Sequence, residues 1–230
     1  MLSAHIIHYN TVIFLHYALS RLSHKLFIFK DITMNNASTH YTKTAVMLHW
    51  LIALGIFSMF ALGWFMSDIP KEAPKQMVFD LFNWGIFDWP VAEEISPRSF
   101  YFNLHKSLGV TIFILIIIRI LWRLTHTPPA LLSSYKAIER KLASGAHRLL
   151  YVLMVVLPLT GVIMAVYSKY GIKWFGMPFI GGLDNNPMRL IFKEAHEIIG
   201  LVLLAIVVVH ILGALKHQFV DKDETLNRML

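Results

Sequence analysis

The 230-residue chain has no cysteine. Disulfides, thiolate-held zinc, iron–sulfur clusters and cysteine nucleophiles are therefore excluded. Charge is scarce too: Asp, Glu, Lys and Arg make up 15% of residues, against about 25% in soluble domains. That leaves too little polar surface to coat a water-soluble globule. No catalytic base, nucleophile or phosphate loop is visible, and there is no internal repeat or low-complexity tract. The formal charge is +7, but no basic tract is interleaved with aromatics, so nucleic acid is not an expected partner.

Apolar residues are abundant, at 56% with a mean hydropathy of +0.57. A crossing helix needs about 20 apolar residues, and four segments meet that length. They run at about 46–66, 104–122, 147–167 and 196–215. β-Branched runs such as Ile114 to Ile118 lie inside stretches too long for strands. Helices apolar all round require lipid around them. The expected fold is all-α, an integral membrane four-helix bundle with membrane lipid as its solvent.

Loop charge orients the spans. From Arg119 to Arg148 there are six basic residues against the single acid Glu139. The first connection, Ser67 to Phe100, holds three basic residues and six acids. The third has Lys169, Lys173, Arg189 and Lys193 against Asp184. The best fit puts both termini and the second connection in the cytoplasm, with the other loops outside. Trp84, Phe87, Trp89 and Pro90 in the first outer loop suit the bilayer interface. So do Trp174, Phe175, Met177 and Pro178, ahead of a Gly181-Gly182 turn. These loops either cover the outer helix ends or simply pack there.

Residues 1–33 are read as an N-terminal extension. Thr11 to Phe29 is apolar but broken by His16, Arg21, His24 and Lys25, which argues against a fifth span. It also lacks a clean apolar core and cleavage site for a secretory signal. Met34 is the expected start of translation, with 34–230 as the membrane domain; an interfacial amphipathic helix is the alternative for the preceding residues.

Ionisable residues inside spans are costly and tend to be functional. His49 lies near the inner end of the first span and His105 at the outer end of the second. The fourth carries His196 at its outer end and His210 toward its inner end. These last two are 14 residues apart, about 21 Å along a helix and within about 40° of one another in azimuth. One helix can thus offer a ligand at each membrane level, His210 opposite His49 and His196 opposite His105. Closed zinc sites want four ligands, whereas each level supplies two. Two imidazoles on opposite sides of one iron is the haem b arrangement, with the macrocycle filling the remaining positions. Two haems b per chain are expected, with His49, His105, His196 and His210 as axial ligands.

Several neighbours could serve such sites. His147, at the start of the third span, could compete with His49 for the inner iron, bond a haem propionate or face headgroups. Arg119, Arg123 and Arg148 crowd the inner end with Lys216, where they could meet propionates or a quinone, or act as positive-inside anchors. His217 lies about 10 Å beyond His210, past the hydrocarbon. Gly55, Gly63, Gly109, Gly200 and Gly213 allow close approach of helices or of a flat macrocycle. Pro158 is expected to kink the third helix and open space beside a haem.

AVMLHWLIAL, FNLHKSLGV, AHRLLYVLMVVLPLTGVIM and KEAHEIIGLVLLAIVVVHILGALKH, one in each span, resemble bacterial cytochrome b561 from about Tyr41 to the C-terminus. That family also resembles the haem b subunits of nickel hydrogenases. The resemblance implies a four-helix, dihaem b protein of the bacterial inner membrane, with His49 paired to His210 and His105 to His196. It further implies electron passage between a periplasmic donor or acceptor and the quinone pool, in some members from superoxide to ubiquinone. Lys106 or Lys169 would then draw the anion in. The chain departs from the family in a first outer loop near 34 residues and an enlarged third. Two other readings compete: a haem-carrying membrane anchor for a dehydrogenase or hydrogenase subunit, and a histidine-based transition-metal transporter, which would be colourless.

Overall fold

The computed structural model describes residues 40–81, 84–132 and 134–230. The chain divides into two units. One is 1–41 with 127–130, whose described residues, 40–41 and 127–130, are irregular backbone. The expectations for residues 1–33 and for a start at Met34 lie outside the described residues. The other unit, 42–126 with 131–230, carries all the described helices and strands.

Four long helices dominate it: α1 (Lys43–Ser67), α2 (Pro97–Thr125), α3 (Ala137–Val166) and α4 (Asn186–Lys216). At 25 to 31 residues each, all exceed the hydrocarbon thickness of about 30 Å. Their starts are set by local chemistry. The Thr42 hydroxyl accepts the Ala45 N–H, Ser96 accepts that of Ser99, and Asn185 accepts that of Met188. Glu139 reaches back to the Lys136 N–H at 2.9 Å, and each satisfies a donor the helix cannot. Pro97 and Pro187 sit in first turns, where a missing N–H costs nothing.

Because those caps extend polar turns outside the apolar runs, three helices begin earlier than expected. They start at Pro97, Ala137 and Asn186 rather than near Leu104, His147 and His196. His105, His147 and His196 therefore sit more than two turns inside their helices. Helix α3 continues through Pro158 without interruption.

Two short hairpins join the helices of this mostly helical bundle, strands the all-α expectation did not include. Strand β1 (Gln76–Asp80) pairs antiparallel with β2 (Asp88–Ile95), and β3 (Ile172–Trp174) with β4 (Met177–Ile180). The β3–β4 turn is the two residues Phe175 and Gly176, both at positive φ, which is the backbone that tight hairpins need. In the first hairpin Phe79 turns inward and stacks on Phe100 at 4.1 Å, packing with Leu62 and Tyr101. The Tyr101 hydroxyl donates to the Asp80 carbonyl at 2.9 Å. Trp84, Ile86 and Phe87 remain exposed.

Helix α3 packs on α4, α1 on α2, and α2 on α3. Leu150, Leu153 and Leu203 form a buried centre with Phe60 and Leu157. Outward faces such as Leu54, Val152 and Leu201 are more than half exposed, as expected where lipid completes the packing. One end of the bundle carries both hairpins. At the other, basic end, Trp122 donates to Thr42 at 3.0 Å and Trp50 to the Met229 carbonyl at 2.7 Å. Lys216 joins Glu139 to Asp221 there.

Candidate functional site

Four helices bring five histidines into two groups. At the hairpin end His105 of α2 faces His196 of α4, with ring centres 6.4 Å apart and planes at 78°. At the basic end His49 of α1 faces His210 of α4 at 6.3 Å and 67°. His147 of α3 also faces His210, at 5.4 Å. The single helix α4 thus contributes to both levels, as its 14-residue spacing requires.

The spacing bears on what these pairs could hold. With metal–nitrogen bonds of about 2.0–2.1 Å, and each nitrogen about 1.1 Å from its ring centre, imidazoles on opposite sides of one metal are about 6.3 Å apart. The two α4 pairs with His49 and His105 have that separation. His147 and His210 are too close for it. Among buried polar atoms, His105 Nδ1 has no hydrogen-bond partner. Paired imidazoles are a donor set that a haem iron takes from helix bundles.

The surroundings of each ring differ. His196 Nδ1 lies 3.0 Å from the Leu157 carbonyl and 3.1 Å from the Thr160 hydroxyl. A Cβ on Gly161 would lie 3.0 Å from His196 Cε1, so the glycine makes room for that ring. Gly63 similarly faces His105. Gly55, Gly109 and Gly200 pack against Ile112, Met59, and Leu157 with Phe60, while Gly213 faces open space. His49 Nδ1 receives Arg119 Nη2 at 3.2 Å, and Arg119 Nη1 donates to the Ala45 carbonyl. With Nδ1 accepting, the neutral His49 ring carries its proton on Nε2. Binding iron through Nε2 requires Arg119 to release that bond. Arg123 lies over the Tyr151 ring, and Arg148 is exposed.

Lys106 donates to the Gly171 carbonyl at 2.9 Å. Its ammonium thus holds the β3–β4 hairpin against α2 rather than standing free. Lys169 lies over the Tyr170 ring. Beyond α4, His217 opens a π-helical turn (His217–Asp221), stacks on Tyr135 and bonds Asp223 at 2.8 Å. Burial pushes the Asp223 carboxyl up, but hydrogen bonds from the Thr225 hydroxyl and N–H and from His217 hold it below the usual range.

Sequence reasoning missed Thr160, Gly161 and the Leu157 carbonyl. The signal was a small pair, Thr-Gly, in the apolar third span, but only the fold places it against His196.

The family model for prokaryotic cytochrome b561 matches residues 40–230. Among curated relatives, cytochrome b561 homolog 2 of Escherichia coli (strain K12) is 30% identical over 208 residues, covering 86% of this chain and 95% of the relative. Cytochrome b561 homolog 1 of the same strain is 24% identical, covering 83% and 96%. A protein named probable superoxide oxidase CybB, from Yersinia pestis, is 24% identical, covering 83% and 95%.

Proposed function

The chain belongs to the prokaryotic cytochrome b561 family, and from that premise we propose a dihaem b protein moving electrons across the bacterial inner membrane. His49 with His210 would hold one haem and His105 with His196 the other. The observation that carries this is the pair of ring separations, 6.3 and 6.4 Å, each matching two imidazoles on one iron. Held by two histidines, a haem would supply outer-sphere electron passage rather than oxygen binding.

The chain's own residues set where that passage begins and ends. Set in a bilayer, the apolar helices would keep water from both levels. The hairpin end faces the periplasm, where Lys169 and Lys173 favour a small anionic donor. The name of the Yersinia relative makes superoxide the donor to try: two superoxide ions each release one electron and leave as oxygen. The acceptor is a quinone at the basic end, taking both electrons and two protons. Arg119, Arg123 and His147 line the approach to His210 and would hold its polar headgroup or the haem propionates.

A reduced-minus-oxidised visible spectrum of the purified protein, with haem counted per chain, tests the reading. Two haems b, removable by acid–acetone, are expected; a colourless chain, or one haem per chain, would sink it. Superoxide-driven ubiquinone reduction by the protein in liposomes tests the donor and acceptor separately.

A further inference from the structure

The hydrogen bonds of His196 fix its tautomer. A carbonyl oxygen can only accept, so at 3.0 Å from the Leu157 oxygen the His196 Nδ1 must donate. The Thr160 hydroxyl gives its own hydrogen to the same carbonyl at 2.7 Å. Its oxygen is then free to accept from Nδ1–H at 3.1 Å. The opposite assignment, with Thr160 donating to Nδ1, would set two lone pairs against each other at hydrogen-bond distance. With the proton on Nδ1, the lone pair of the neutral ring lies on Nε2, the nitrogen left free for a metal. Gly161 completes the arrangement, because a Cβ there would meet the ring at 3.0 Å from Cε1 and 3.2 Å from Nδ1.

His105, across the same level, is held differently. Its Nδ1 is buried and without a partner. An N–H donated to an acceptor makes an imidazole more basic as a ligand, so the two rings are chemically unequal.

We infer that Thr160 and Gly161, with the Leu157 carbonyl, are the positioning residues for His196: they lock its Nδ1–H tautomer, aim Nε2 at the haem iron and make His196 the more basic axial ligand at the hairpin end. The inference rests on the haem reading above. Three features within one turn of α3 (the Leu157 carbonyl, the Thr160 hydroxyl and the missing Cβ of Gly161) thus act on a ligand belonging to α4.

The test uses the full chain loaded with haem. A more basic imidazole favours the ferric state, so removing one acceptor should raise the potential. Thr160→Val is expected to shift one haem's midpoint potential to more positive values and leave the other unchanged. Thr160→Ser should restore the wild-type value. Gly161→Ala should lower the haem content from two per chain to one. In the reduced wild-type protein labelled with ¹⁵N-histidine, the His196 Nδ1–H should exchange slowly with solvent, a measurement that needs no variant. Both haems bound with an unmoved potential in Thr160→Val, an equal shift in Thr160→Ser, or a fast-exchanging His196 Nδ1–H would each overturn the inference. Wild-type protein that takes up no haem would instead overturn the haem reading itself.

Discussion

His49 and His147 both face His210, yet only one can share an iron with it. At 6.3 Å the His49 ring leaves room for a metal between itself and His210, whereas at 5.4 Å the His147 ring does not. His147→Ala should therefore keep two six-coordinate haems, with a small spectral change from the lost neighbour. His49→Ala should remove the basic-end haem or leave it open to carbon monoxide, and His105→Ala should do the same at the hairpin end. Carbon monoxide binding in His147→Ala, with none in His49→Ala, would move the iron between α3 and α4. Arg119 belongs to the same balance. Its bond to His49 Nδ1 would have to open for Nε2 to hold an iron, and the guanidinium would then be available to a propionate. A positive charge beside the iron disfavours the ferric state, so Arg119→Gln should lower the basic-end potential, read by redox titration.

Elements differ in how far they were legible beforehand. The four helices could be read because runs such as LGVTIFILIIIRILW state their own length and environment. Their early starts at Pro97, Ala137 and Asn186 could not, because capped polar turns leave no trace in an apolar count. The hairpins were hidden for another reason: β3–β4 is held by groups far away in the chain. Ser107, 2% exposed, accepts the Phe175 N–H at 3.0 Å, while its one hydroxyl hydrogen is shared between the Asn103 carbonyl at 2.8 Å and the Lys173 carbonyl at 3.1 Å. Lys106 and Thr111 flank it, bonding Gly171 and Trp174. Ser107→Ala leaves buried partners unsatisfied, at a cost of about 1–3 kcal/mol, and should raise proteolysis at Lys169 and Lys173 while the helices persist. The segment after α4 is pinned by Asp223 in a different way. A carboxyl held below its ordinary value contributes stability above that value and loses it as pH falls through the lowered one. Hydrogen exchange in residues 222–230 should therefore rise only below the ordinary aspartate range, near pH 4. In Asp223→Asn it should be fast at neutral pH as well.

For the molecule as a whole, the nearness of His49 to His210 and of His105 to His196 is what span order and helical spacing together lead one to expect, because α4 offers one histidine per level. Which way up the bundle stands is a separate matter, resting on charge. The end of the bundle where α2 gives way to α3 carries six basic residues against one acid over Arg119 to Arg148, while Ser67 to Phe100, around the first hairpin, carries six acids against three bases. In the proposed orientation the positive end stays in the cytoplasm; the hairpins would then lie outside, and a periplasmic donor would send electrons from the His105 level toward the His49 level. The absence of cysteine makes this directly measurable, since one introduced thiol is the only one in the chain. Ile86, 80% exposed in the first hairpin, and Lys141, exposed on the first turns of α3, report opposite ends. In spheroplasts, Ile86→Cys should react with a membrane-impermeant maleimide at once. Lys141→Cys should react only after the membrane is permeabilised. The reverse pattern would invert the protein, place the basic end and its proposed quinone site outside, and leave the Lys169 and Lys173 surface facing a cytoplasmic partner.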